Sequence, residues 1–391
     1  MCGTKHNKKR LMSYNMAAQK ENYMKSRFAY TLFSILVIFS MVSIPLSQIS
    51  SEEKTTPVRV ILIGWDGAQR EHVQECLGRG ELPTLKTLMS QGAMVNIDVV
   101  GKTDTKAGWS EILTGYGPDI TKVYSNANFA PIPEGYTVFE RLKQYYGKDF
   151  ITGAVIGKDH HVGGNAAEVK RLLTPRELEF LSTHKAFRDR HDIGDVERVQ
   201  AGGTEGRRET DDIISRRLSE GKVIDVEGKK YLYSPAEPYF HTWKNVDVWQ
   251  KGLGTNDVVG EAALKMIDQY RDRSFFYFIH FAEVDHSGHK YGENSKEYND
   301  ALISSDAWTG RIIARLKELG IYENTLVIVT ADHGFNEGEK SHSNAPTVFF
   351  VSNCRQTLHP GTRADVAPTI YKHLGIPLDT LKPELTGKPL Y

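Results

Sequence analysis

The chain has 391 residues, with 49 Lys plus Arg and 49 Asp plus Glu, so its formal charge is zero. A content of 40% hydrophobic and 25% charged residues is that of a globular chain, and it excludes a disordered, collagen-like or coiled-coil protein. Because polyanion binders carry a large basic excess, no nucleic-acid partner is expected. The charge is unevenly spread: residues 1–30 hold seven basic side chains and one acid, which leaves 42 basic and 48 acidic groups beyond them. The main body is therefore mildly acidic.

The three cysteines, Cys2, Cys76 and Cys354, are too few for a disulfide framework, and no CxxC spacing is present for a thiolate metal site. We expect Cys76 and Cys354 to be buried free thiols, with a disulfide between them as the alternative.

The N-terminus has the pattern of an export signal. A basic segment, residues 1–27, precedes residues 28–46, nineteen residues without a charge, and a polar linker follows at 47–56. Nineteen helical residues span about 28 Å, enough to cross the hydrocarbon core of a bilayer. No clear A-x-A cleavage site follows, so a cleaved signal peptide and an uncleaved anchor are both kept, with a buried core helix as the alternative. Signal and anchor both place the body outside the cytoplasm, either periplasmic or secreted.

Beyond residue 57 the sequence alternates apolar strands with amphipathic helices, which predicts a mostly parallel sheet covered on both faces. Strands are predicted at Val58–Gly64, Ala93–Val100, Phe150–Ile156, Ser274–Phe281, Thr325–Thr330 and Thr347–Val351, and helices at Leu82–Gln91, Lys106–Leu113, Glu297–Glu318 and Arg363–Leu374.

The pattern changes between about residues 173 and 252, where charged runs precede an aromatic stretch. This composition predicts an insertion or cap outside the sheet. Its aromatic residues either form a small core or face a substrate: Tyr231, Tyr233, Tyr239, Phe240 and Trp243.

Polar residues follow four of the predicted strands at the point where each strand ends. They are Asp66, the pair Lys158 and His160, Asp285, and the pair Asp332 and His333. Each one alone is typical of an ordinary turn. Because ligands bind at the carboxyl ends of parallel strands, the four together predict one site.

Two further histidines extend this set. His289 lies four residues after Asp285, with Gly288 permitting a bend between them, and His342 lies nine residues after His333. Carboxylates and imidazoles are ligands that suit Zn²⁺. His161, His280 and His286 are neighbours that fit no motif, and we assign them to packing or to support of the site.

The order of these motifs resembles that of the alkaline phosphatase superfamily. The resemblance rests on Asp66, on Thr105 with Thr114-Gly115 nine residues later, on Asp285-x-x-x-His289, on Asp332-His333-Gly334 and on His342. The closest likeness is to its type I phosphodiesterase/nucleotide pyrophosphatase-like and Thr-nucleophile phosphatase branches. It covers about residues 57–391 and implies an alkaline phosphatase-like three-layer α/β fold, with a mostly parallel central sheet and an inserted cap segment.

The resemblance also implies roles for individual residues. Asp285, His289 and His342 would bind one zinc ion, and Asp66, Asp332 and His333 a second one together with Thr105; other divalent ions are alternatives. Thr105 would be the nucleophile at a helix N-terminus, although a simple N-cap is its structural alternative. Asn126, 21 residues after Thr105, would bind a non-bridging phosphate oxygen.

The implied function is hydrolysis of a small phosphate ester, either a monoester or a diester. Lys158 and His160 match the spacing of the two extra donors that Thr-nucleophile monoesterases and sulfatases place at the same strand end, with a surface turn as the alternative. A sulfatase of the formylglycine type needs Cys or Ser in C/S-x-P-x-R, and residues 105–109 have neither. A metal-free binding relative is the other alternative, and the sequence indicates no oligomeric state.

Overall fold

The computed structural model describes residues 57–391 except 192, 194, 195, 197–209 and 220. Its strands, in chain order, are β1 (Arg59–Trp65), β2 (Ala93–Asp98), β3 (Ile151–Ile156), β4 (Val169–Leu172), β5 (Lys222–Val226), β6 (Lys229–Ser234), β7 (Val248–Gln250), β8 (Phe275–Phe281), β9 (Thr325–Thr330), β10 (Thr347–Ser352) and β11 (Gly361–Thr362).

Eight of these strands form the central sheet, in the order β11-β2-β10-β9-β1-β8-β3-β7. β10 runs antiparallel to both of its neighbours, whereas the other paired strands are parallel. The strands β1, β3, β8 and β9 are buried at every position, because helices cover both faces of a parallel sheet. Their carboxyl ends therefore meet at one edge.

The α-helices of the described residues are α1 (Arg70–Arg79), α2 (Pro83–Gln91), α3 (Thr105–Thr114), α4 (Pro118–Thr121), α5 (Val138–Tyr146), α6 (Pro175–Thr183), α7 (Lys185–Arg190), α8 (Asp211–Ser219), α9 (Asn256–Tyr270), α10 (Glu283–Tyr291), α11 (Lys296–Glu318) and α12 (Val366–His373). Short 3₁₀ turns occupy Trp243–Asn245, Tyr322–Asn324, Arg363–Asp365 and Leu378–Thr380. These elements confirm the predicted α/β fold with a mostly parallel central sheet.

A second, smaller sheet forms mostly within the range predicted as an insertion, although its strand β4 lies just before residue 173. Its three strands lie in the order β4-β6-β5, and they pack with α6 and α8 around a separate hydrophobic cluster that includes Phe180, Ile214 and Leu232. The strand β7, although inside the predicted 173–252 range, pairs with β3 and belongs to the edge of the central sheet. The boundaries of the insertion remain a prediction.

Most predicted strands and helices agree with the structure to within two residues. Eight of the described helices were not predicted individually: α6, α7 and α8 in the range assigned to the insertion, and α1, α4, α5, α9 and α10 outside it. Cys76 and Cys354 are buried free thiols, as predicted. The predicted signal or anchor at 28–46 and its flanking segments lie outside the described residues. Among the helices that the structure does describe, none has the length and apolar character needed to cross a bilayer.

Candidate active site

Three aspartates meet at the carboxyl edge of the sheet. Asp66 directly follows β1, Asp332 lies two residues beyond β9, and Asp285 lies in the first turn of α10, just after β8. Their side chains are almost completely buried, at 0%, 0% and 3% exposed in that order. Burial of several carboxylates together is unfavourable unless cations compensate their charge.

Lys158, two residues beyond β3, provides one such cation. Its Nζ lies 2.8 Å from Asp66 Oδ1, 2.8 Å from Asp285 Oδ2 and 3.0 Å from Thr105 Oγ1. Burial alone would lower the pKa of Lys158, but the charges of Asp66 and Asp285 outweigh it and raise this pKa. The lysine is therefore held as an ammonium between the carboxylates and the Thr105 hydroxyl.

Thr105 is the first residue of α3, so its hydroxyl lies at the positive end of a helix. Besides Lys158, its Oγ1 lies 3.2 Å from His333 Nε2. The helix can approach the aspartates because residue 108 is glycine: a Cβ there would lie 2.7 Å from the Cβ of Asp332. The sequence thus brings the predicted nucleophile against the predicted metal ligands.

Asn126 lies beside the first turn of α3. Its Oδ1 accepts the backbone N–H of Lys106 at 3.0 Å, and its own N–H donates to Asp104 Oδ2 at 2.8 Å. The side-chain amide is thereby fixed next to Thr105.

The ligands predicted for the first zinc ion lie together. Ligand atoms of Asp285, His289 and His342 are within 4.8 Å of one another, and His289 Nε2 lies 3.4 Å from Asp285 Oδ1 and 3.2 Å from His342 Nε2. Burial and the neighbouring His333 lower the pKa of His342 to about 4. Its imidazole is neutral at pH 7, which is the form that binds metal ions. We call these three residues the outer group.

The ligands predicted for the second zinc ion are arranged slightly differently. The ligand atoms that lie within 4.8 Å of one another belong to Asp66, Asp285 and His333. Asp332 borders this set: its Oδ2 lies 3.4 Å from His333 Nε2, while its Oδ1 accepts the N–H of Gly67 at 3.3 Å. We call Asp66, Asp285, Asp332 and His333 the inner group, and Asp285 faces both groups.

The chemistry of these residues fits metal ions. Three buried carboxylates face a single ammonium, and burial lowers the pKa of His333, which keeps that imidazole neutral as well. Within the described part of the chain, Asp285 Oδ1 and Asp332 Oδ2 are buried without a hydrogen-bond partner. Burial and the charge of Asp66 raise the pKa of Asp332 well above its usual value. Additional cations would remove this excess of negative charge.

His160 does not join the site. Its side chain is 75% exposed, and its Nδ1 lies 3.3 Å from Glu237 Oε1. Lys251 binds the same carboxylate at 3.0 Å and Asp159 at 2.8 Å. This surface network turns His160 away from the Lys158 ammonium, so the expected pairing of the two as phosphate donors is not what the structure has.

His161, which fitted no motif, lies closer to the site than His160. Burial, followed by the positive charges of Lys158 and Lys106, lowers the pKa of His161 to about 4. A neutral, partly buried imidazole therefore lies near these two lysines. No sequence signal distinguished His161 from its neighbour, because the turn after Lys158 decides which of the two faces inward.

Further residues hold the carboxylates in place. His280 Nε2 lies 2.8 Å from Asp66 Oδ2, which agrees with the supporting role expected for it, and Trp109 Nε1 donates to the same oxygen at 3.2 Å. The buried Arg363 donates to Asp332 O at 2.9 Å. No sequence motif pointed to Trp109 or Arg363, because their burial beside the aspartates becomes apparent only in the folded chain.

The fold and the site together define an alkaline phosphatase-like α/β protein. A solved Bacteroides thetaiotaomicron protein, from a core genetic locus for the metabolism of multiple glycosaminoglycans, matches this chain with a TM-score of 0.51. The match has 15% sequence identity and covers 86% of this chain and 81% of that chain, so it shows the shared fold.

Within that class, the chain belongs to the type I phosphodiesterase / nucleotide pyrophosphatase family, whose sequence profile matches residues 60–358. The human bis(5'-adenosyl)-triphosphatase ENPP4 is 41% identical over 63 residues, which are 16% of this chain and 14% of that protein. The GPI ethanolamine phosphate transferase 2 of Schizosaccharomyces pombe is 32% identical over 124 residues, 26% of this chain and 16% of that protein. The matched segments thus span less than a fifth of either relative's own length.

Proposed function

We propose that this protein is a metal-dependent hydrolase of phosphate esters in which Thr105 is the nucleophile. The observation that carries the proposal is the position of the Thr105 hydroxyl, 3.0 Å from the Lys158 ammonium and 3.2 Å from His333 Nε2. Asp104, not Thr105, is the N-cap residue of α3, and capping would not explain the buried ammonium and the imidazole beside the Thr105 oxygen. Membership of a phosphodiesterase family supports the same reaction class.

The surrounding residues can activate the Thr105 hydroxyl. His333 Nδ1 lies 3.0 Å from Gly334 O. With its proton on Nδ1 and hydrogen-bonded to that carbonyl, His333 keeps a lone pair on Nε2, which faces Thr105 Oγ1 and could bind a metal ion shared with that oxygen. The Lys158 ammonium and the positive end of α3 stabilise negative charge on Oγ1.

The reaction would take place in two displacements. In the first, the Thr105 hydroxyl gives up its proton, Oγ1 attacks phosphorus, the bond from phosphorus to the leaving-group oxygen breaks, and the leaving group takes up one proton. In the second, water attacks the phosphothreonine, the Oγ1–phosphorus bond breaks, and the hydroxyl is restored. Lys158 and the Asn126 amide would donate to the phosphoryl oxygens in both steps.

We further propose two Zn²⁺ ions as cofactors, one held by the outer group and one by the inner group with Thr105. Bound there, they would act as Lewis acids that lower the pKa of the nucleophile and neutralise the leaving oxygen. Support comes from the mixed carboxylate and imidazole ligands, which suit zinc better than an all-oxygen calcium site. Other divalent ions with the same preferences are the alternative.

The substrate we propose is a small phosphate ester met outside the cytoplasm, where residues 28–46 would deliver the protein as a signal peptide or anchor it in the membrane. Lys158 beside the nucleophile favours a monoester, whose dianion needs donors beyond the metal ions. Diester hydrolysis agrees with the family description.

The test is to assay the purified protein on an aryl phosphate monoester, its methyl diester and the matching aryl sulfate, before and after chelation. We expect hydrolysis of at least one phosphate ester, loss of activity on chelation and recovery with added Zn²⁺. Undiminished hydrolysis by the metal-depleted protein, or cleavage of the sulfate alone, would contradict the proposal.

A further inference from the structure

Lys106, the residue after the proposed nucleophile, is a buried lysine without a carboxylate partner. Its side chain is only 9% exposed. Its Nζ donates to Asn126 O at 2.9 Å and lies 3.5 Å from the centre of the Phe129 ring. No acidic group of the described residues lies within 4.0 Å of this ammonium, in contrast to Lys158, which has two.

The positive charge of this buried ammonium is poorly compensated by its neighbours. A carbonyl and an aromatic face offer only partial negative charge, whereas withdrawal of an ammonium from water costs several kcal/mol unless it is paired. Because no carboxylate of the described residues compensates its charge, the Lys106 ammonium can accept an anionic ligand.

The position of Lys106 indicates which anion this is. The residue lies in the first turn of α3, its backbone N–H donates to the Asn126 side chain, and its ammonium donates to the Asn126 backbone. Lys106 therefore borders the amide assigned to a non-bridging phosphate oxygen. An ammonium has three N–H donors, and Asn126 O accepts one of them, so others remain for a ligand.

We propose that Lys106 is the second cationic donor for the dianion of a phosphate monoester, in the role that the sequence suggested for His160. The inference rests on the proposed function and specifies its substrate class. Lys158 lies on the metal side of Thr105, and Lys106 lies on the Asn126 side. A monoester presents a third non-bridging oxygen to the second lysine, whereas a diester carries an organic substituent there and one negative charge less.

The proposal is tested with Lys106→Met and Lys106→Gln, which remove the charge while keeping length or polarity. Lys102→Met is the matched control, because that exposed lysine lies three residues before Thr105. For each variant two quantities are measured: kcat/KM on an aryl phosphate monoester and on its methyl diester, and the Kd of inorganic phosphate and of dimethyl phosphate by calorimetry.

We expect both Lys106 variants to lose about 30-fold in kcat/KM on the monoester and less than about 3-fold on the diester. The Kd of inorganic phosphate should rise about 10-fold, while that of dimethyl phosphate stays nearly constant. Lys102→Met should match the wild type. Equal losses on both esters, or an unchanged Kd of inorganic phosphate in a folded Lys106→Gln protein, would overturn the inference.

Failure of the proposed function has a different signature. If the wild type cleaves neither ester with Zn²⁺ present, hydrolysis is refuted, whereas the binding of inorganic phosphate still decides the role of Lys106. If the wild type cleaves both esters and the Lys106 variants keep its monoester preference, only the present inference is refuted.

Discussion

The ammonium of Lys158 lies among three buried carboxylates at the edge of the sheet. This excess of negative charge determines the ionisation of the side chains around it. Burial works against ionisation of Asp66, yet Lys158 and His280 outweigh it and hold the pKa of Asp66 well below its usual value. Asp285 stays ionised for a similar reason, since Lys158 opposes the effect of burial on its pKa. Lys158 thus supports the carboxylates and also contacts the nucleophile.

Replacement of Lys158 by alanine tests this double role. Because a monoester dianion needs more cationic donors than a diester does, Lys158→Ala should reduce kcat/KM on an aryl phosphate monoester about 10-fold more than on its methyl diester, or about 1.4 kcal/mol of transition-state stabilisation. His160→Ala is the matched control and should leave both rates unchanged, since that side chain faces solvent. Equal losses on the two substrates for Lys158→Ala would remove this lysine from substrate recognition.

The helix α10 differs from the bent segment that the sequence indicated. The sequence suggested a bend at Gly288 between Asp285 and His289, but the chain there is a continuous helix from Glu283 to Tyr291. Residues four apart on a helix share a face, so the helix itself presents both ligands to the outer group. Gly288 serves another purpose: a Cβ on it would lie 2.5 Å from Cζ of Phe335.

Gly288→Ala is therefore expected to have two opposing effects on the stability of the fold. Alanine in a helix is favoured over glycine by about 1 kcal/mol, but the added methyl group would displace Phe335, whose ring lies 5.1 Å from that of His289 and 5.4 Å from that of His342. We expect the steric cost to exceed the gain in helix propensity. The net result should be a loss of about 1–3 kcal/mol in the free energy of unfolding and weaker zinc binding. Denaturant unfolding and zinc titration measure the two; a more stable variant with unchanged zinc affinity would contradict the packing argument.

A buried pair behind the site links α1 to the loop that carries His342. His72 Nδ1 lies 2.5 Å from Glu293 Oε1, and Glu293 Oε2 accepts the N–H of Gly338. Burial would lower the pKa of His72, but its interactions with Cys76 and Glu293 prevail and raise this pKa to about 10.

The raised pKa of His72 predicts a pH dependence of stability. An unfolded histidine has a pKa of about 6.5, so the contribution of protonated His72 is fully present below that pH and is lost as the pH rises toward 10. The difference in free energy of unfolding between the wild type and His72→Gln should shrink between pH 6.5 and 9.5. Urea unfolding across this range decides the point, and parallel curves for the two proteins would mean that His72 is neutral in the fold.

At the scale of the whole molecule, sequence patterns predicted the central sheet because its strands are apolar on both faces and end in polar residues. Thr325–Thr330 was placed to the residue. The same patterns predicted that Asp66, Asp285 and His333 would meet, since the carboxyl ends of parallel strands share an edge, whereas Thr105 was indicated only by the family resemblance. These patterns could not predict that His161 would be the more buried of the two adjacent histidines, because small backbone rotations in a turn decide which side chain faces inward. Nor could they distinguish Lys106 from a surface lysine.

Export of the body across the membrane can be tested with a reporter fusion. If residues 28–46 export the body, a reporter that is active only in the cytoplasm should be silent when fused after Thr55. The same reporter fused to residues 47–55 without the preceding segment should be active. Full activity of the first fusion would show that the body stays in the cytoplasm.

The proposed mechanism requires Thr105 to carry the phosphoryl group during turnover. The most direct measurement is peptide mass spectrometry after the zinc-loaded protein has turned over an aryl phosphate and been quenched in acid, where a phosphothreonine survives. We expect phosphate on the peptide containing Thr105 in the wild type, and neither phosphate nor more than about a thousandth of the activity in Thr105→Ala. Rapid turnover by Thr105→Ala, with Thr105 of the wild type unmodified, would contradict the account.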